Sequence, residues 1–153
     1  MKKIICILLS VFTLAGLTSC EAQSTAQTYP GIPVLDADEL KIIGTSPAVV
    51  DILDKLEIEL IGVPSSTISV IPKRYENVTV IGTAMAPDME IVKALNPDWI
   101  LSPVTLISDL KPKYEAANIN SAFLDLRSVE GMYKSIEQLG AMFDRKEQAK
   151  ALT

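Results

Sequence analysis

A methionine stands at a position where a turn residue is expected. The stretch GTAMAPDME, residues 82–90, places Met85 in a tight turn, just before a proline and two acids that indicate the start of a helix. Solvent-facing turns usually contain Gly, Asn, Asp or Ser, because these residues relieve backbone strain or bond local amides, and a thioether does neither. Met85 therefore either packs into a core or faces a ligand that binds sulfur.

Few other side chains in the sequence could do chemistry. There is no histidine, which excludes Ser-His-Asp and Cys-His nucleophiles, histidine zinc sites and the usual general base. The two cysteines are Cys6 and Cys20, so a chain cleaved before Cys20 has neither a disulfide nor a cysteine metal site. Carboxylates remain, and a lipoprotein enzyme that used them would draw on Asp88, Glu90 and Asp125.

The amino-terminal residues predict export and lipid attachment. Lys2 and Lys3 precede an apolar run, residues 4–17, that is too short to span a bilayer as a stable helix. The run ends in LTSC, which resembles the lipobox of bacterial lipoproteins. We expect residues 1–19 to be a signal peptide and Cys20 to carry the lipid that holds the protein at the extracytoplasmic face of the cell membrane. An ordinary signal peptide with a chance cysteine is the alternative.

The exported chain is acidic. Cleavage before Cys20 leaves 12 of the 14 basic residues beside all 19 acidic ones, a net charge of −7. Because nucleic-acid binding requires a basic surface, we do not expect a nucleic-acid partner. The length that remains suits one hydrophobic core.

Beyond a polar segment, short apolar runs alternate with helical patterns. We assign residues 20–40 to the lipidated cysteine and a flexible tether, and residues 41–143 to an α/β lobe. The apolar runs and their spacing predict a parallel sheet flanked by helices. The predicted strands are Lys41–Ile43, Leu60–Val63, Val78–Ile81, Trp99–Leu101 and Ala122–Leu124.

Four helices are predicted from capping signals. Ser46 caps the first, Pro87 opens the second and Ser128 caps the third. Asp144 with Glu147 resembles a capping box that opens the fourth, residues 144–153. This last helix has no C-cap, so we expect it to be the start of a longer connecting helix and the sequence to be a fragment.

Small or polar residues follow each predicted strand, and we call these loops the carboxyl edge of the sheet. In open α/β sheets ligands bind at this edge, because loops and helix N-termini converge there. Met85 lies on it. The loops are residues 44–47, 64–67, 82–85, 102–103 and 125–128.

These motifs resemble a known family of receptors. IIGTSPAVVDILDKL, LIGVPSS, VIGTAMAPDMEIVKALNPDWILS and NSAFLDL are similar to the amino-terminal lobe of the bilobal receptors of iron-complex and cobalamin ABC importers. The most specific stretch is PDMEIVKALNPDWIL, residues 87–101. Residues 63–66 and 84–88 look most like the haem receptor lipoproteins of the Isd type. The resemblance covers about residues 41–143 and implies the amino-terminal lobe of a class III periplasmic-binding-protein fold.

The resemblance also implies a ligand. In the haem receptors the methionine of this turn is one axial ligand of the iron, and a histidine from the second lobe is the other, so Met85 is implied to ligate haem. Lys73 and Arg74 could add charge for the haem propionates. The haem propionates are implied to be bound by five hydroxyl residues, largely through backbone N–H groups, and helix-cap or turn roles are the alternative for each of them. These residues are Thr45, Ser46, Ser65, Ser66 and Thr67.

The implied function is transport. Relatives use an exposed acid at the position of Glu90 to dock on permease arginines, although a helix-dipole role is the plainer interpretation. The resemblance implies a receptor that captures haem and delivers it to an ABC permease for iron uptake, with haem-donor surface proteins as a further partner and without catalysis. The alternatives are a ferric-siderophore or cobalamin receptor of the same fold, a carboxylate-dependent lipoprotein enzyme, and a structural or adhesive lipoprotein.

Overall fold

The computed structural model describes residues 31–153. The predicted signal peptide, Cys20 and residues 21–30 lie outside the described residues. Within the described residues there are five strands and five α-helices. They are β1 (Ile42–Gly44), α1 (Pro47–Lys55), β2 (Gly62–Val63), β3 (Thr79–Val80), α2 (Met89–Leu95), β4 (Trp99–Pro103), α3 (Ile107–Ala116), β5 (Asn120–Leu124), α4 (Val129–Met142) and α5 (Lys146–Leu152). Among these elements β2 and β3 are adjacent in sequence, and α4 is followed directly by α5.

The five strands form one parallel sheet in the order β3-β2-β1-β4-β5. Ile43 at its centre pairs with Gly62 on one side and with Ile100 on the other. The predicted α/β class and parallel sheet are therefore confirmed. Because all strands run the same way, the loops of the carboxyl edge meet at one end of the sheet.

Two apolar clusters cover the two faces of the sheet. Successive residues of a strand point to opposite faces, so Ile42 and Leu101 belong to one cluster while Ile43 and Ile100 belong to the other. The first cluster includes residues of α1, α4 and α5, and the second includes residues of α2 and α3. Burial on both faces explains why these strands are nearly all apolar.

Two of the predicted helix starts are confirmed, and one differs. Ser46 Oγ accepts from the Val49 N–H at 3.3 Å, and Ser128 Oγ accepts from the Gly131 N–H at 3.0 Å. Pro87, predicted to open the second helix, lies before its cap. Asp88 is the N-cap, because its Oδ1 accepts from the N–H groups of Glu90 and Ile91, at 2.9 and 3.3 Å.

The predicted capping box at the start of the last helix is wrong. Asp144 has a left-handed φ of 52° and makes the turn between α4 and α5, so its carboxylate does not cap the helix. The N-cap position is Arg145, whose side chain makes no capping bond.

Helix α3 was not predicted from the sequence. It carries no side-chain N-cap, it follows a 3-10 turn at residues 104–106, and it contains Pro112. Leu110 and Tyr114 are nevertheless fully buried against the sheet. Tertiary packing thus specifies a helix that local signals do not indicate. None of the helices in residues 31–153 is long and apolar enough to cross a membrane.

The predicted tether extends too far along the chain. Residues 32–40 cover the lobe: Ala37 is 1% exposed, and the Leu35 N–H donates to the Met142 carbonyl oxygen at 2.7 Å. Arg145 Nη2 also lies 2.6 Å from Asp38 Oδ1. These residues are packed because their apolar side chains bury against the first cluster.

Candidate functional site

The turn that carries Met85 is held by its own backbone. Gly82 has a φ of 98° and bridges to Pro87. The Ala86 N–H donates to the Thr83 carbonyl oxygen at 3.2 Å and also lies 3.2 Å from Thr83 Oγ1. A β-carbon at position 82 would lie 3.0 Å from the Ala86 carbonyl oxygen, so this position requires glycine on both counts.

Met85 itself points out of the protein. Its side chain is 70% exposed, whereas Val92 of the following helix is fully buried. The alternative in which Met85 packs under the loop is therefore wrong. An exposed thioether on a turn fixed at both ends is available to a ligand at the carboxyl edge.

The loop after β2 lies against this turn. The Ser65 N–H donates to the Gly82 carbonyl oxygen at 2.7 Å. Ser66 Oγ accepts from the Ile68 and Ser69 N–H groups at 3.3 and 2.9 Å, so its hydroxyl organises the loop. Ser65 and Thr67 are exposed. Ile68 of this loop is 94% exposed.

Thr45 and Ser46 face inward. Thr45 is fully buried, and both its N–H and its Oγ1 donate to the Leu101 carbonyl oxygen, at 3.0 and 3.2 Å. Ser46 is 7% exposed, and its hydroxyl caps α1. Both side chains shape the loop. Pro47 has no N–H, and the Val49 N–H is bonded to Ser46 Oγ. The N–H groups of Ser46 and Ala48 are therefore those left for a ligand at the start of α1.

Two buried hydroxyls beside Thr45 were missed from the sequence. Ser102 Oγ lies 2.8 Å from Thr45 Oγ1 and 3.1 Å from the Tyr114 hydroxyl. Sequence offered one signal, a serine at the end of an otherwise apolar strand. Tyr114 packs in the core, and its hydroxyl also joins this chain.

Lys73 and Arg74 could add charge beside the ligand according to the sequence, with solvated loop residues as the plainer interpretation. Arg74 Nε lies 3.2 Å from Asp54 Oδ1, and its Nη1 lies 2.7 Å from Glu59 Oε1. Asp54 is in the last turn of α1 and Glu59 precedes β2, so Arg74 lies at the amino edge, where the strands begin. The expectation is wrong for Arg74, and Lys73 is exposed beside it.

Arg127 supplies the positive charge of the carboxyl-edge loops within the described residues. Its Nε and Nη2 lie 2.8 Å from Asp125 Oδ1 and Oδ2 respectively. These bonds hold the pKa of the Asp125 carboxyl down to about 2. Both carboxylate oxygens of Asp125 are therefore bound by Arg127.

The three candidate catalytic carboxylates do not form a group. Asp88 caps α2, Asp125 is bound by Arg127, and the Glu90 side chain is 91% exposed beside Lys93. Within residues 31–153 no cluster of His, Cys, Asp or Glu could hold a metal ion. The structure therefore brings together hydroxyls, amides and one thioether at the carboxyl edge.

Comparison with known proteins supports the fold and identifies a family. A profile of the periplasmic binding protein family matches residues 42–153, from the first residue of β1 onward. The chain belongs to this family. Members of the family that match are substrate-binding proteins of transport systems.

Three matches to two proteins illustrate the likeness. The high-affinity heme uptake system protein IsdE of Staphylococcus aureus strain Newman is 37% identical over 142 residues, which is 93% of this chain and 46% of that protein. An ABC transporter substrate-binding protein from Listeria monocytogenes EGD-e has a TM-score of 0.72 and 46% identity, over 74% of this chain and 44% of that one. The S. aureus IsdE complex with heme has a TM-score of 0.70 and 42% identity, over 74% and 44%.

The chain spans about half the length of these relatives. The fold neighbours are bilobal receptors of the class III periplasmic-binding-protein type, and the sheet described above corresponds to one part of them.

Proposed function

We propose that this chain forms the amino-terminal lobe of a receptor that captures haem outside the cell membrane and delivers it to an ABC permease for iron uptake. Haem is the transported substrate, and no covalent bond is made or broken. The proposal rests on the identity to IsdE and to its heme complex, taken together with the carboxyl-edge geometry.

The exposure of Met85 is the observation that carries the proposal. A thioether is a suitable axial ligand for haem iron, and an exposed one on a fixed turn is already directed outward before the ligand arrives. Met85 is the axial ligand that we assign to this lobe, because the resemblance implies the methionine of this turn and the chain has no histidine. The other axial position is filled from outside this chain or by water.

The haem propionates would be held by hydroxyls and amides. Ser65 and Thr67 are exposed on the loop that touches the Met85 turn, and Ser66 orders that loop. Thr45 and Ser46 would act through the loop they shape and through the amides at the start of α1, where the helix dipole favours negative charge.

Docking on the permease is assigned to Glu90. This carboxylate is 91% exposed on the first turn of α2, and its ion pair with Lys93 is long, at 3.8 Å. An exposed acid in this position can steer association with a basic surface.

We also propose that Cys20 carries a lipid anchor and that the protein resides at the extracytoplasmic face of the membrane, with haem-donor surface proteins as further partners. The LTSC motif after an apolar run supports the anchor. Mass spectrometry of the protein extracted from membranes tests this step, and an unmodified Cys20 would contradict it.

A haemin titration of the purified chain, followed in the Soret region, tests the main proposal. Met85→Leu removes the thioether and keeps an apolar side chain, while Met89→Leu makes the same change at the half-buried start of α2. We expect saturable binding by the parent and by Met89→Leu, with affinity reduced at least about tenfold in Met85→Leu.

Two results would redirect the proposal. Equal binding by all three proteins would show that Met85 does not touch the iron. Absence of haemin binding together with binding of a ferric siderophore or cobalamin would keep the fold and change the substrate.

A further inference from the structure

Three buried hydroxyls link α3 to the loop after β1. The Tyr114 hydroxyl lies 3.1 Å from Ser102 Oγ, and Ser102 Oγ lies 2.8 Å from Thr45 Oγ1. Thr45 Oγ1 in turn donates to the Leu101 carbonyl oxygen at 3.2 Å. Thr45, Ser102 and Tyr114 are all fully buried, so water does not compete for these bonds. We call these three residues the hydroxyl chain.

With the Thr45 hydroxyl donating to the Leu101 carbonyl oxygen, the directions of the other two bonds in the hydroxyl chain follow. A carbonyl oxygen only accepts, so Thr45 uses its one hydroxyl hydrogen on Leu101 and must accept from Ser102. Ser102 has then used its own hydrogen and must accept from Tyr114. Burial raises the pKa of the Tyr114 phenol, so the first donor of the hydroxyl chain keeps its proton at physiological pH.

The hydroxyl chain ends at the loop that faces the ligand. Thr45 immediately precedes Ser46, the N-cap of α1, and its own N–H is bonded to Leu101. Removal of Ser102 would leave Thr45 without a donor and Tyr114 without an acceptor. The loop could then recover those bonds only by moving.

We propose that Ser102 and Tyr114 are positioning residues for ligand binding: through Thr45 they fix the β1–α1 loop and hence the direction of the amides at the start of α1. Neither residue touches the ligand. This inference rests on the proposed function, because those amides are assigned to the haem propionates, and it extends the site to Ser102 at the end of β4 and to α3.

A second buried tyrosine provides a matched control. Tyr75 is 1% exposed, and its hydroxyl donates to the Ile58 carbonyl oxygen at 2.6 Å. Ile58 lies in the segment between α1 and β2, at the amino edge of the sheet. Tyr75→Phe therefore removes a buried hydroxyl and its hydrogen bond, as Tyr114→Phe does, at the other end of the lobe.

The experiment compares haemin affinity in the purified chain and in Tyr114→Phe, Ser102→Ala and Tyr75→Phe, with thermal unfolding measured for each. We expect the dissociation constant to rise about threefold in Tyr114→Phe and about tenfold in Ser102→Ala, and to change less than about twofold in Tyr75→Phe. Hydrogen exchange of the ligand-free proteins should be faster at residues 45–50 in the first two variants only.

The outcomes separate the two proposals. If the parent binds haemin and Tyr114→Phe binds as tightly as Tyr75→Phe at similar stability, the positioning role is overturned and the proposed function stands. If the parent does not bind haemin, both are overturned. If Ser102→Ala does not fold, Tyr114→Phe alone decides.

Discussion

The backbone N–H of Ser65 donates to the carbonyl oxygen of Gly82 at 2.7 Å. This bond joins the loop after β2, with its exposed hydroxyls, to the turn that exposes Met85. The two groups assigned to the ligand's iron and to its carboxylates are therefore held at a fixed separation by the backbone itself.

Gly82→Ala tests the turn. We expect a loss of about 1–3 kcal/mol in the free energy of unfolding, because alanine is strained at a φ of 98° and its Cβ would lie 3.0 Å from the Ala86 carbonyl oxygen. Gly31→Ala is the control, since Gly31 has a similar φ of 95° and no atom within 4 Å of the added Cβ. Chemical denaturation measures both, and equal losses would contradict the role of crowding at Gly82.

Gly140→Ala tests the contact between α4 and α5. The added methyl would lie 2.5 Å from Ala149 Cβ and 3.0 Å from the Arg145 carbonyl oxygen, so we expect overpacking to cost about 1–3 kcal/mol. The second change Ala149→Gly removes the clashing methyl. The double variant should recover part of the loss in a double-mutant cycle, and simple additivity of the two losses would argue against this contact.

Asp38→Asn tests the packing of residues 32–40. Loss of the charge paired with Arg145 should cost about 0.2–1 kcal/mol, because the pair is partly exposed, and should speed hydrogen exchange at the Leu35 amide. Glu39→Gln is the control, as this neighbouring acid makes no ion pair in the described part of the chain. An unchanged Leu35 exchange rate in Asp38→Asn would show that apolar burial alone holds the segment.

Arg127→Gln tests the charge at the carboxyl edge. The pKa of Asp125 is lowered from 3.8 to about 2 in the folded protein, so the pair contributes stability above about pH 4, and that contribution is lost as the pH falls towards 2. In Arg127→Gln the carboxyl resonance of Asp125 should titrate near 3.8, and the free energy of unfolding should fall less as the pH is lowered towards 2. Arg74→Gln, at the amino edge, should leave the Asp125 titration unchanged.

Much of the fold could be predicted because its signals are local. Short apolar runs indicated all five strands, although β3 and most of β5 are not fully buried, and Ser46 and Ser128 indicated their helices through short-range capping bonds. Helix α3 could not be found in this way, since its start has no side-chain cap and Pro112 lies within it. Asp144 misled for a related reason: a capping sequence does not reveal that the residue takes a left-handed φ.

The site was less accessible to sequence. Met85 was singled out by its unusual place in a turn, and the structure removed the packing alternative. Ser102 and Tyr114 were missed, because the Thr45–Ser102 bond spans 57 positions and nothing local shows which buried hydroxyls meet. Arg74 was placed wrongly because it lies between two parallel strands, β2 and β3. The connection between such strands returns to the amino edge, away from the ligand.

The packing of residues 32–40 closes the lobe at the end away from Met85. Helix α4 starts at the carboxyl edge and runs back along the sheet, so Met142, whose carbonyl oxygen accepts from the Leu35 N–H, lies near the amino edge. Glu90, on the first turn of α2, lies instead at the carboxyl edge beside the Met85 turn. A partner that contacts Glu90 would therefore meet the same face of the lobe that exposes Met85.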